Sequence, residues 1–173
     1  MGIIYSLLGW SASEDEPDPI LGLTPREIKR VKVSWARATA DPTKLGANVM
    51  MSVFCRLFDK YPEYKKLFPF KDVPDEELKN NMKFKVHCSS VVYNLNQIID
   101  SLDNSELVLG MLDKLATNHI KHNAPHEGFL NIQGIIEDVL RPLNNDEEMK
   151  IWSKLLTVAM NYASNKMVEE KKN

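Results

Sequence analysis

The chain has 173 residues, 43% of them hydrophobic, which is the length of one ordinary domain with enough apolar surface to close one core. Its 22 Lys and Arg nearly cancel 24 Asp and Glu, and basic residues nowhere gather with aromatics as a nucleic-acid groove requires, which argues against a nucleic-acid partner. Cys55 and Cys88 each stand apart from any second cysteine at metal-ligand spacing, so neither a disulfide framework nor a zinc knuckle is indicated, and the pair reads as two reduced thiols in a cytosolic protein.

The apolar stretch from Gly2 to Trp10 is about half of what a membrane-spanning helix needs. No Lys or Arg precedes Arg26, which argues against a secretory signal and for a chain kept inside the cell. Met1-Gly2-Ile3-Ile4-Tyr5-Ser6 matches the N-myristoylation pattern, with Gly2 acylated after Met1 is removed. One myristoyl chain gives only marginal, reversible membrane attachment, and the acidic run Glu14, Asp15, Glu16 and Asp18 opposes an anionic surface. The other reading is an ordinary start whose Ile3, Ile4, Leu7, Leu8 and Trp10 pack loosely against the domain. Residues 11–22, acidic and twice interrupted by proline, read as a linker or flexible arm, with folding expected to begin after them.

Thr24-Pro25-Arg26-Glu27 is a capping-box start, and Ile28, Val31, Trp35 and Ala38 then form the stripe of a first helix. Asp41-Pro42 repeats the start signal for a second, with Leu45, Val49, Val53, Phe54, Leu57 and Phe58 on its apolar face and Pro62 at its end. Phe68 precedes Pro69, which biases it away from helical geometry, so Phe68 and Phe70 are expected on a turn. From about Asp75 a long helix is expected, with Phe84, His87, Val91, Leu95, Ile98 and Leu102 on one stripe. Ser105 is the expected cap of the next helix, along which Val108, Leu112, Leu115 and His119 recur. After Pro125, Phe129, Ile132, Ile136, Val139 and Leu140 mark a helix ended by Arg141-Pro142. Asn145 to Glu148 caps the last one, with Met149, Trp152, Leu155 or Leu156, Ala159 and Ala163 inside. No strand signal competes, and the expected class is all-α.

A single inward-facing histidine is more often a core residue than a ligand. Two on different helices suit haem, whose iron takes a neutral imidazole on one face and, on the other, an imidazole that either ligates it or hydrogen-bonds a diatomic gas. His119, His122 and His126 can also be read as zinc spacing, but Pro125 breaks that helix and no acidic or thiol ligand completes the set.

The string from Arg56 to Phe70, RLFDKYPEYKKLFPF, resembles the stretch of globins that closes their second helix and carries a haem-stacking phenylalanine, matched here by Phe68. Trp35 in SWARA and the Tyr61-Pro62 pair fit the same family. His87 with Val91 looks like the globin distal pair, and KLATNHIKH looks like the proximal helix with His119 as iron ligand. The likeness runs from about Leu23 to the C-terminus.

The resemblance implies a globin fold of about seven to eight helices around one haem b, with residues 23–173 as the domain and residues 1–22 as an arm. It implies His119 as proximal ligand, its other N–H given to a nearby carbonyl, and His87 as distal ligand or as donor to bound oxygen. Phe54, Phe68, Val91, Leu115, Phe129 and Ile132 would form the apolar wall. Some globins place a hydroxyl-bearing tyrosine where Phe54 stands, so here His87 would be the sole polar group over the iron. Ser90 stands where many globins place a basic partner for a haem propionate, which leaves Lys71, His122 and Asn123 as candidates. The implied function is reversible binding of molecular oxygen and other diatomic gases for storage, facilitated diffusion or delivery, not catalysis. The alternative is a bis-histidyl, six-coordinate globin in redox chemistry, nitric oxide or nitrite chemistry, or gas sensing. Oligomeric state is not set by these residues.

Overall fold

The structure, a computed structural model, describes residues 15–40 and 47–171. The expected helix start at Asp41-Pro42, Leu45 and the acylation motif lie outside them. Eight α-helices and no strand occur among the described residues: α1 Pro25–Ala38, α2 Ala47–Lys60, α3 Pro62–Lys65, α4 Asp75–Leu78, α5 Met82–Asp100, α6 Ser105–Lys121, α7 Glu127–Leu140 and α8 Asp146–Glu170. None is long and apolar enough to cross a membrane.

Local chemistry sets the ends of several of these helices. Thr24 Oγ1 accepts from the Glu27 amide while the Glu27 carboxylate accepts from the Thr24 amide, and Asn145 with Glu148 repeats this at α8. Both capping boxes are legible in the sequence. The long helix expected from Asp75 is instead two. The Asn81 side chain accepts from the Phe84 amide, starting α5 afresh after the single turn of α4. The cap of α6 is Asn104, whose side chain accepts from the Leu107 amide, rather than the expected Ser105. Folding also begins earlier than the reading of residues 11–22 allows. Asp18 Oδ1 accepts from the amides of Ile20 and Leu21, and Leu21 is fully buried in the core.

One apolar core joins α1, α2, α5, α7 and α8 with Leu78 of α4 and Val108 and Leu112 of α6, and a smaller cluster of Ala116, Phe129, Ala163 and Met167 further ties α6 to α7 and α8. On α5 the fully buried positions are Phe84, Cys88, Val92 and Ile99, while His87, Val91, Leu95 and Ile98 are half-buried. The deepest stripe is thus turned by about one residue from the expected one, because a broad apolar face does not itself say which edge its neighbours cover.

A polar knot fastens α1 to the start of α8. Trp152 Nε1 donates to Ser34 Oγ at 2.8 Å, and Ser34 in turn donates to Asn144. Arg37 binds the Leu143 carbonyl and Glu148. Ser34 and Trp152 are both buried, so Ser34→Ala strands an indole N–H away from water. The expected cost is about 1–3 kcal/mol, read as a lower urea midpoint at unchanged slope; an unchanged midpoint contradicts it.

Candidate functional site

His119 lies in the last turns of α6, with Nδ1 2.8 Å from the Leu115 carbonyl one turn back. A carbonyl can only accept, so Nδ1 carries the hydrogen and Nε2 keeps the ring's lone pair. The ring packs on Phe129 of α7 at 4.8 Å between centroids. Burial holds its pKa below the usual histidine value, partly opposed by the bond to Leu115. From behind, α8 braces the helix: the Tyr162 hydroxyl donates to Asp113 at 2.9 Å and the Thr117 hydroxyl to Glu170 at 3.1 Å.

His87 sits among aromatic rings. Phe54 of α2 meets it edge-on at 4.9 Å, Phe68 at 5.0 Å, and Phe70 lies at 6.1 Å. Its Nε2 is buried with no hydrogen-bond partner among the described residues. Burial, then the charges of His119 and His122, push its pKa down to about 4, so the ring is neutral at physiological pH. The helices that carry the two imidazoles share no extensive contact; α5 packs chiefly on α2, and α6 on α8. Two neutral imidazoles, one oriented through Nδ1 and one with an unpartnered Nε2, are the donor set that haem iron uses, and the residues present fit that group.

Of the other expected wall residues, Phe54 and Phe68 meet the His87 ring, Phe129 meets the His119 ring and Leu115 supplies the carbonyl for His119, while Val91 and Ile132 are half-buried against the core. Phe70 and Phe84, not singled out beforehand as wall residues, complete the ring cluster, with 5.3 Å between them. The crowding of phenylalanines between residues 54 and 84 was the available signal. Lys71, His122 and Asn123 are all exposed. Asn123 takes a left-handed φ of 58° just past α6, a conformation that asparagine tolerates. The Ser90 hydroxyl donates to the Val86 carbonyl of its own helix. His126 is engaged by Ser164 Oγ at 3.2 Å and Glu127 at 3.1 Å. Burial raises the pKa of both thiols, that of Cys88 to about 12, so both stay protonated at neutral pH.

The lowered histidine pKa values carry a stability consequence with a definite sign. The unfolded chain binds protons near the ordinary histidine value of 6.5, whereas folded His87 refuses its proton until about pH 4. Stability of the haem-free chain therefore falls as pH drops from 6.5 to 4, by at most about 3 kcal/mol from this residue. Urea midpoints measured across that window should show the slope, and His87→Phe should flatten it; an equal slope in the variant contradicts the assignment.

The globin family model matches residues 51–163. A globin of Nerita albicilla is 27% identical over 149 residues, covering 83% of this chain and 92% of that protein. Among solved structures, the hexa-coordinate hemoglobin of Drosophila melanogaster, described with its cyanide binding, superimposes with a TM-score of 0.75 at 24% identity, covering 82% of this chain and 93% of its own. A hexacoordinated heme protein from an anhydrobiotic tardigrade does so with a TM-score of 0.78 at 18% identity, covering 87% and 99%. With the family model spanning well over half of the sequence and the helices following the same course, the chain belongs to the globin family of haem proteins.

Proposed function

We propose that the chain holds haem b with His119 as the iron ligand and His87 on the opposite face, and that it binds molecular oxygen and other diatomic gases reversibly for intracellular storage, facilitated diffusion or delivery. The observation that carries this reading is the buried, unpartnered Nε2 of a neutral His87. When bound, haem would supply an iron able to take a diatomic gas. The Leu115 carbonyl holds the His119 ring in one tautomer and orientation. His87 holds a proton at Nε2 as a donor to a ligand bearing partial negative charge, which favours oxygen over uncharged gases. Phe54, Phe68, Val91, Leu115, Phe129 and Ile132 exclude water from that space. Phe54 brings no hydroxyl to it, which leaves the donor role to His87.

The same nitrogen favours a second reading. A buried polar atom without a partner costs about 1–3 kcal/mol, and ligation by His87 itself would recover it as well as a bound gas does. Two solved structures of this fold are described as hexacoordinate. A bis-histidyl form would act in redox chemistry, nitric oxide or nitrite chemistry, or gas sensing. The optical spectrum of the ferrous protein without gas separates the two: five-coordinate bands support oxygen carriage, and six-coordinate bands support internal ligation. Absence of a haem band after reconstitution defeats both.

The haem-holding unit is proposed as residues 23–173 of a cytoplasmic protein together with the Asp18 turn that seats Leu21 in the core, and the arm as the chain before Asp15, whose Gly2 carries a myristoyl chain and a weak attachment to membranes. An unacylated glycine in protein from its native cell, read by mass spectrometry, removes that attachment. His119→Ala is expected to lose or displace the haem. His87→Ala is expected to keep it and to release oxygen about ten- to a hundredfold faster, the worth of one charge-assisted hydrogen bond. Haem retention unaffected by His119→Ala contradicts the proximal assignment.

A further inference from the structure

The face of α5 turned away from the core is only partly covered. At 100° per residue, Met82, Val86, Ser89, Tyr93, Asn96 and Asp100 fall on one stripe about 80° wide. Its C-terminal end lies under α1, where Trp35 Nε1 donates to Asn96 Oδ1 at 2.6 Å and Lys32 Nζ to the Asp100 carbonyl at 3.0 Å. Its N-terminal three turns are open, with Met82, Val86 and Tyr93 exposed to 69%, 57% and 65% along a shallow groove edged by Lys85. Single exposed apolar side chains need no explanation; three on one stripe of one helix form a surface.

Asp15, the first described residue, lies at the end of this stripe. Asp15 pairs with Arg26 at 3.3 Å, and Arg26 shares a cleft with Lys29, Lys32 and Asp103, just past the C-terminus of α5. From Asp103, Tyr93 is about 15 Å and Met82 about 30 Å away along the helix axis. The segment from Gly2 to Glu14 reaches about 43 Å when extended, enough to follow the whole groove. It is apolar where the groove is apolar: Ile3, Ile4, Leu7, Leu8 and Trp10, with no charge before Glu14. Its acidic end runs Glu14-Asp15-Glu16 in sequence, and Asp15 of that run is the partner of Arg26, whose cleft also holds the cation Lys29.

We propose that residues 3–10 of this chain dock on the uncovered stripe of α5 from Met82 to Tyr93, so that the start of the chain covers the outside of the helix carrying His87. Docking steadies the turns on which His87 stands, and a segment drawn into a bilayer by acylated Gly2 leaves them free. That consequence rests on the distal role proposed for His87; the docking itself does not.

The test is hydrogen–deuterium exchange on the haem-containing, unacylated full chain against the same chain lacking residues 2–14. Amides of residues 82–94 are expected to exchange about threefold faster or more without the segment, and Leu7→Asp in the full chain to do the same, with α7 unchanged. Val86→Asp should make residues 3–10 more readily cut by protease. Equal exchange with and without the segment overturns the proposal, whatever the spectrum says of His87. Protection that survives truncation and rises with protein concentration identifies a second copy as the occupant, and protection of the myristoylated chain appearing only with anionic vesicles identifies a bilayer; either result overturns it.

Discussion

The imidazole of His87 is held by shape. The rings of Phe54, Phe68 and Phe70 lie within about 6 Å of it, and its buried Nε2 meets no donor or acceptor among the described residues. A polar atom in that position is a cost carried by the rest of the fold, on the order of 1–3 kcal/mol. Burial also keeps the ring neutral, because a cation there would forfeit its hydration without a counter-charge. Buried polar groups in folded proteins are as a rule hydrogen-bonded, so this nitrogen is the exception on which the proposed haem site rests.

His119 is arranged in the opposite way. Its Nδ1 is bound to the Leu115 carbonyl, so one ring nitrogen is used for orientation and the other is left as a donor of electrons. The helices of the two histidines are steadied by different partners. Trp35 and Lys32 of α1 grip the C-terminal end of α5, and Tyr162 and Glu170 of α8 grip α6. Because each helix is fixed to its own neighbour, the separation of the imidazoles is set by α1, α2 and α8 rather than by direct packing of α5 on α6.

Much of this frame can be read locally. The capping boxes at Thr24 and Asn145 need only residues three apart, and the stripes of α1, α2, α7 and α8 need only helical spacing. Where two local choices compete, the reading goes astray. The apolar pattern from Asp75 onward permits one continuous helix, yet Asn81 caps Phe84 and divides it. Leu21 lies in an acidic, proline-rich segment and is buried all the same, because the Asp18 turn aims it at the core. The globin-like strings around Phe68 and His119 carry the family, since they combine several residue types at fixed separations.

The sequence by itself determined the helical class, most helix boundaries and the inward placement of His87 and His119, because each depends on periodicity and on contacts within a few residues. Tertiary structure decided the rest. It turned the deepest stripe of α5 onto Phe84, Cys88, Val92 and Ile99, left His87 half-buried beside three phenylalanines, and gave His119 a carbonyl while giving the His87 Nε2 nothing. Whether a buried nitrogen finds a partner depends on atoms brought from distant parts of the chain, and no local pattern encodes that meeting.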